Sequence, residues 1–220
     1  MAGSSSVQPA SRPRGRPPSL TEDQIVDAAL QIIRTEGLDA LSMRRLSQQL
    51  GRSQMAAYSY VSDKQQLLDL VARRTLADVE IPGPDDGPWD VQIRLIIDRI
   101  DTQLRRHPGI AGVLLQRMLH SDRRLMHALM LIMVDAGLHE KEVLLAYSTI
   151  HTYLFGRYQV ALSPVPQDDE PNLPPGLTHV MPFLDELHRA DYFNFGIDVL
   201  LDGLRARVTE NRRQQDGQRA

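Results

Sequence analysis

The side chains best suited to hold another molecule lie close together, between residues 42 and 64. Amide and guanidinium groups can read base edges, whereas a phenol or a cation can contact phosphate. The surrounding sequence predicts two short helices around a tight turn, the layout of a DNA-reading helix-turn-helix. The side chains expected to point outward from it are Arg52, Gln54, Met55, Tyr58 and Tyr60.

Three features should position these residues. Gly51 suits a sharp turn, because glycine tolerates positive φ. Ser53 can cap a second helix, predicted over 53–61, by accepting an early backbone N–H. Apolar residues at four-residue spacing should hold the two helices together: Leu46 and Leu50 on the first, Ala57 and Val61 on the second.

Lys64 lies near the start of the following helix. We expect that helix to begin at Ser62, with Ser62 and Gln65 as a capping box. A cation in the first turn opposes the helix dipole. Lys64 is therefore either an indifferent surface lysine or a clamp for a DNA phosphate, and the lack of a helix-level reason favours the clamp.

The first helix of this region should begin after Thr21. Thr21 and Gln24 can form a capping box, and Gly37 should end the helix. Before it, residues 1–19 predict a disordered basic arm. Arg14 and Arg16 stand there in an RGRP sequence that resembles an AT-hook core, which places arginines in a narrow minor groove. A plain solvated tail remains the alternative.

Composition limits the function classes. The 220 residues include no cysteine, which excludes disulfides and thiolate metal sites. The net charge is −3, but residues 1–64 carry +2, so DNA contact should be confined to the N-terminal part. The sequence has neither an apolar run long enough to span a membrane nor a secretory signal at its start. We therefore expect a cytoplasmic protein that is not associated with a membrane.

The chain predicts two helical domains: a helix-turn-helix domain over 20–80 and a larger helical domain over 89–208. Three prolines and two glycines in 81–88 predict a linker between them, and the polar residues 209–220 predict a disordered tail. Helices 139–162 and 191–208 carry more apolar surface than one chain should cover, which indicates a ligand or a second subunit.

Three residues in these helices need explanation. Gly196 and Gly203 lie inside a helix, where glycine is costly, which suggests close approach of another helix. Arg157 lies in an apolar helix and needs a partner, for which Asp98 and Asp135 are candidates.

The chain resembles the TetR/AcrR family of bacterial regulators, with a C-terminal domain similar to that of the tetracycline repressor. The resemblance rests on TEDQIVDAALQIIRTEGLDALSMRRLSQQLGRSQMAAYSYVSDKQQLLD, a Trp after the Pro/Gly break, RRHPGIA and FNFGIDVLLDGLRARV. It implies an all-α fold and a homodimer formed through helices 139–162 and 191–208. It also implies a palindromic double-stranded DNA operator and a small-molecule effector, with no cofactor.

The resemblance also assigns roles by position. Gln54 matches a base-reading position, Arg44 one that reads guanine, and Met55 could contact a thymine methyl group. The positions that match phosphate contacts are Ser42, Tyr58, Tyr60 and Lys64. Two departures stand out: Arg52 replaces an apolar residue, and Ala56 replaces a hydroxyl that often binds phosphate.

The expected effector pocket lies within 89–175. Methionines suit an adaptable apolar site but are also ordinary core residues. His120 and His127 could share a helix face, but without a closely spaced ligand set we predict no metal site. The candidate pocket residues are His107, Met118, Met126, Met130, Tyr147 and His151.

Three function classes compete. No GxSxG, P-loop, GxGxxG or HExxH motif supports an enzyme. An effector-independent or architectural DNA-binding protein would fit the arginine arm, but not the large C-terminal domain. We therefore expect a repressor that leaves its operator when a small molecule binds the C-terminal domain.

Overall fold

The computed structural model describes residues 20–117, 122–162, 179, 183 and 186–219, so the predicted arm over 1–19 lies outside it. This part of the chain contains no β-strand, and no helix in it is long and apolar enough to cross a membrane. Its α-helices, in chain order, are α1 (Glu22–Glu36), α2 (Met43–Leu50), α3 (Gln54–Tyr58), α4 (Lys64–Leu76), α5 (Trp89–Arg106), α6 (Ile110–Gln116), α7 (Arg123–Ala136), α8 (Glu140–Leu162) and α9 (Arg189–Arg219).

Helix α1 begins and ends as predicted. The Thr21 hydroxyl accepts from the Gln24 N–H at 3.2 Å, and the Gln24 side chain accepts from the Thr21 N–H at 3.1 Å. Gly37 ends the helix with φ of 88°. The buried stripe of α1 packs against α2 and α4 and forms the core of the N-terminal domain.

The turn after α2 is also as predicted, but α3 is shorter than expected. Gly51 adopts the left-handed conformation, and the Ser53 hydroxyl accepts from the Ala56 N–H at 3.3 Å. Helix α3 then ends at Tyr58 rather than continuing to 61. The Ser59 hydroxyl donates to the Ala56 carbonyl, which would accept from the Tyr60 N–H if the α-helix continued. The Tyr60 N–H donates to the Ala57 carbonyl instead.

The predicted capping box at the start of α4 was wrong by one residue. Asp63, not Ser62, is the cap: its carboxylate accepts from the Gln66 N–H at 2.8 Å. The Gln66 side chain in turn accepts from the Ser62 N–H at 2.5 Å. Lys64 is thus the first helical residue, directly after a carboxylate whose pKa is lowered by its bond to the Gln66 backbone.

Helix α8 lies at the centre of the C-terminal domain and packs against α6, α7 and α9. Helix α6 also contacts α4 and the 3₁₀ turn Leu38–Ala40, so it touches both domains. Gly196 is glycine for the predicted reason, since an added Cβ would overlap the Tyr153 hydroxyl of α8. At Gly203 a Cβ would meet nothing within 4 Å in the described chain.

The predicted partners of Arg157 were wrong. Its guanidinium pairs with Asp101, which is fully buried on α5 and also accepts from the Tyr158 hydroxyl at 2.8 Å. Desolvation lowers the pKa of Arg157. The guanidinium also stacks 4.2 Å from the Phe193 ring centroid, so this cluster joins α5, α8 and α9.

The tail over 209–220 was expected to be disordered, and this prediction was wrong. Helix α9 extends to Arg219. The Asn211 amide donates to the Gly137 carbonyl at 3.1 Å and to Glu142 at 2.7 Å. Arg212 donates to the Ala136 carbonyl at 3.1 Å. These polar residues satisfy the C-terminal carbonyls of α7, an interaction that helical periodicity does not reveal.

Candidate nucleic-acid interface and ligand cavity

Helices α2 and α3 present a compact polar and aromatic surface. Met55 is 82% exposed, unusually high for methionine, whereas Ala57, two residues further along and therefore on the opposite side of the helix, is fully buried. Tyr58 and Tyr60 are both more than two-fifths exposed. Ser42, Arg44, Ser53 and Gln54 are also exposed. Most of the predicted contact residues are therefore accessible, as readout of a groove requires.

The two neighbouring arginines of α2 have different roles. Arg45 binds the Glu36 carboxylate through Nη2 at 2.6 Å and Nε at 2.9 Å, and this contact lowers the pKa of Glu36. Arg45 thus joins α2 to α1. Arg44 is exposed and, like Lys64, forms no ion pair with any residue in the described part of the chain.

Three further predicted contact residues are arginines, and of these only Arg52 lies within the described residues. Arg52, the cation at a normally apolar position, is half-buried, and its backbone N–H donates to the Ser47 carbonyl at 3.1 Å. Arg14 and Arg16 lie outside the described residues, so their groove contact stays a prediction.

An apolar cavity of about 30 Å³ lies between α5, α7 and α8 in the C-terminal domain. Three of the predicted pocket residues, Met126, Tyr147 and His151, line it. Its other lining residues are Leu76, Ile97, Ile100, Asp122, Leu125, Leu129, Ile150, Leu154 and Phe155. Ligand pockets typically have volumes of about 300–1,000 Å³, so this cavity must enlarge to admit a ligand.

The cavity contains a few polar groups among its apolar walls. Burial lowers the pKa of His151 to about 4 and raises the pKa of Tyr147 to about 12, with a further contribution from the Asp122 charge to the latter. Both rings are therefore uncharged near neutral pH. The Asp122 carboxylate caps α7, accepting from the Arg124 N–H at 2.9 Å.

The remaining predicted pocket residues do not line this cavity. His107 lies at the end of α5, in a separate 270 Å³ cleft against α1, because α5 carries it to the N-terminal domain. Met130 packs against the core but not on the cavity wall. Met118, like His120, lies outside the described residues. Within the described chain, no group of three or more His, Asp or Glu side chains could hold a metal ion.

Comparison with known proteins decides the family. A profile described as "Bacterial regulatory proteins, tetR family" matches residues 25–71, and one described as "Tetracyclin repressor-like, C-terminal domain" matches residues 81–208. The chain belongs to the TetR family. As a TetR-family protein, it is a DNA-binding transcriptional repressor that is regulated by small-molecule binding.

Three TetR-family relatives extend the comparison. The chain is 30% identical to the transcriptional repressor DrrR1 of Streptomyces coeruleorubidus, over 90% of this chain and 82% of that protein. Apo ActR from Streptomyces coelicolor superposes with a TM-score of 0.76 at 28% identity, over 87% of this chain and 98% of ActR. BioQ bound to its double-stranded DNA operator superposes with a TM-score of 0.63 at 25% identity, over 85% and 99% of the two chains. ActR has also been solved in complex with actinorhodin.

Sequence reasoning missed several residues around this TetR-family site. Asp122 and Phe155 line the cavity, and Arg117 connects α6 to Asp69 of α4 through hydrogen bonds of 2.6 and 2.7 Å. Asp122 could have been found as a cap, since it follows Ser121 and precedes an apolar helix. The Arg117–Asp69 pair spans 48 positions, and no local pattern indicates it.

Proposed function

We propose that this TetR-family protein binds a palindromic operator as a homodimer and leaves it when an effector enters the cavity between α5, α7 and α8. One observation carries the proposal. Helix α6 touches both the domain that has the exposed α2–α3 surface and the domain that contains the small internal cavity. Binding at an operator would place the protein on the bacterial nucleoid, and no catalytic step is part of the proposal.

The homodimer would form through α8 and α9. Five large apolar or aromatic side chains on these helices are more than half exposed: Leu144, Leu145, Tyr192, Phe195 and Val199. Exposed apolar patches of this kind commonly mark association sites. A groove of about 470 Å³ runs between the two helices and includes Gly203, whose missing side chain would leave room for a helix of the second subunit. Two-fold pairing here would present two reading surfaces to a palindrome.

The reading residues would divide into base and phosphate contacts. Gln54 and Arg44 would contact base edges and Met55 a thymine methyl group, because these side chains are exposed on α2 and α3. Ser42, Ser53, Tyr58, Tyr60, Arg52 and Lys64 would contact the phosphates around them. Arg14 and Arg16 would add minor-groove contacts from the N-terminal arm.

The effector signal would travel through α6. Its carbonyl at Leu114 bonds to the cavity residue His151, and the residue after its last turn, Arg117, binds Asp69 on α4. Enlargement of the cavity would therefore move α6 and change the position of the N-terminal domain. An effector can act in this way only if it binds the displaced arrangement more tightly.

Footprinting on the promoter next to the gene tests the DNA-reading part of the proposal. We expect a discrete footprint that Gln54→Ala weakens by about 10- to 100-fold, which corresponds to losing a base contact of about 1–3 kcal/mol. Gln215→Ala is the matched control, since Gln215 is exposed on α9 in the C-terminal domain. A footprint equally tolerant of both changes would show that Gln54 does not read bases.

A further inference from the structure

His151 presents an unused hydrogen-bonding atom inside the ligand cavity. The residue is 5% exposed and lines the cavity, and its Nε2 has no hydrogen-bond partner among the described residues. The imidazole bonds to the Leu114 carbonyl, which requires an N–H on its other nitrogen. Because burial keeps the ring neutral, Nε2 carries a lone pair and acts as an acceptor.

The surroundings of this atom limit what could bind it. The His151 ring lies between Tyr147, with centroids 5.9 Å apart, and Phe155, at 4.6 Å in an edge-to-face arrangement. Aromatic walls favour a flat aromatic partner. The lining residues include one carboxylate, Asp122, whose charge also raises the pKa of Tyr147, so a carboxylate ligand would be repelled as well as desolvated.

We propose that the effector is an uncharged aromatic molecule whose hydroxyl group donates a hydrogen bond to Nε2 of His151. The inference rests on the proposed function of the cavity and adds the chemical class of its ligand. A buried acceptor discriminates strongly, because a ligand without a donor leaves it unpaired. The hydroxyl would also bind next to the imidazole that contacts α6, the helix that touches the N-terminal domain.

One alternative occupant of the cavity is a water molecule. A cavity of about 30 Å³ is large enough for a single water, which could satisfy Nε2 without any role in recognition. In that case an aromatic ligand would gain nothing from its hydroxyl group. Two probes of nearly equal shape separate the alternatives: 2-naphthol, which has a donor, and 2-methoxynaphthalene, which has only an acceptor.

Titration calorimetry of the full chain with the two probes tests the inference. We expect 2-naphthol to bind about 10-fold more tightly than 2-methoxynaphthalene, and 2-naphthoate to bind more weakly than both. His151→Phe keeps an aromatic ring but removes the acceptor, so it should abolish the 2-naphthol preference. Met126→Leu is the control, since it alters the same wall and should retain the preference.

Two results would overturn the inference. The first is that the native chain binds 2-naphthol and 2-methoxynaphthalene equally, or binds neither. The second is that the preference for 2-naphthol survives in the His151→Phe variant. Thermal melting of each variant verifies that it folds. Operator footprinting without any probe keeps the two proposals apart. An intact footprint without hydroxyl preference refutes only the ligand class, whereas a missing footprint refutes the proposed function.

Discussion

Arg117 and Asp69 form a two-pronged ion pair between the domains. Nε and Nη2 of Arg117 donate to the two Asp69 carboxylate oxygens at 2.7 and 2.6 Å, and Nη1 donates to Gln65 at 2.7 Å. Both charged side chains are less than one-third exposed. Because Arg117 directly follows α6 and Asp69 lies in the middle of α4, the pair fixes the end of one helix against the other.

The first prediction concerns the strength of this pair. A double-mutant cycle with Arg117→Gln and Asp69→Asn should give a coupling energy of about 1–2 kcal/mol, because the pair is bidentate and partly desolvated. Urea denaturation of the four proteins measures it. The pair Arg74–Asp23 is a matched control: it also joins α4 to the N-terminal core, but at 3.6 Å and with both side chains more than half exposed. Its coupling should stay below about 0.5 kcal/mol, and similar values for the two pairs would contradict this prediction.

The second prediction concerns Gly109, at the start of α6. Its φ is 90°, and an added Cβ would lie 2.9 Å from Cγ2 of Ile33 on α1. Gly109→Ala should therefore carry a backbone cost of about 1–2 kcal/mol and a further steric cost of about 1–3 kcal/mol. The substitution should also change operator affinity, because the added methyl group would displace Ile33 and with it α1.

Gly137→Ala separates the two costs of that change. Gly137 has a similar φ of 105°, but an added Cβ would meet no atom of the described residues within 4 Å. It should show only the backbone cost and leave operator affinity unchanged. Equal unfolding free energies and equal operator affinities for the two variants would show that a side chain at position 109 does not displace α1.

The third prediction is a pH dependence of stability. The pKa of His151 is lowered by burial from its ordinary 6.5 to about 4. The unfolded chain therefore takes up a proton at His151 below pH 6.5, whereas the folded chain resists it until about pH 4. The contribution of neutral His151 is fully present above pH 6.5 and is lost as the pH falls to 4, by up to about 3 kcal/mol.

Urea denaturation at pH 7.5 and pH 4.5 measures this loss. His151→Phe removes the titrating group, so the variant should lose less stability than the native chain over the same range. Carboxylates affect both proteins alike, so the difference isolates His151. If the native chain and the variant lose stability in parallel, burial does not hold His151 neutral.

The fourth prediction concerns subunit association. Leu145 is 57% exposed and lines the groove between α8 and α9, so Leu145→Arg should place a charge in the proposed interface and shift a dimer toward monomer. Leu131→Arg is the control, because Leu131 is 46% exposed on α7, outside that groove. Sedimentation velocity at micromolar concentration gives the answer. A native monomer, or dissociation by both changes, would rule out this interface.

The local features of the chain could be predicted because short-range chemistry sets them. Capping by Thr21, the left-handed turn at Gly51 and capping by Ser53 depend on neighbours within three residues, and all were confirmed. The errors at the ends of α3 and α4 came from competition between adjacent polar side chains. Asp63 rather than Ser62 accepts from the Gln66 N–H, and the Ser59 hydroxyl donates to the Ala56 carbonyl.

The long-range features could not be predicted, because no periodicity reports them. The partner of Arg157 depends on which helix faces α8, and sequence spacing offered Asp98 and Asp135 equally well before Asp101 proved to be the one. The candidate cavity was only partly anticipated for the same reason. Residue type suggested Met126, Tyr147 and His151, whereas the position of His107 depends on the direction of α5.

The contacts of Asn211 and Arg212 have a practical consequence for dissecting this protein. The C-terminal family profile ends at residue 208, yet the side chains that hold the end of α7 lie just beyond it. A truncated protein designed on the profile boundary would leave the carbonyls of Ala136 and Gly137 without these donors. A protein shortened in this way would leave those carbonyls to water, so the end of α7 should fray more readily than in the full chain.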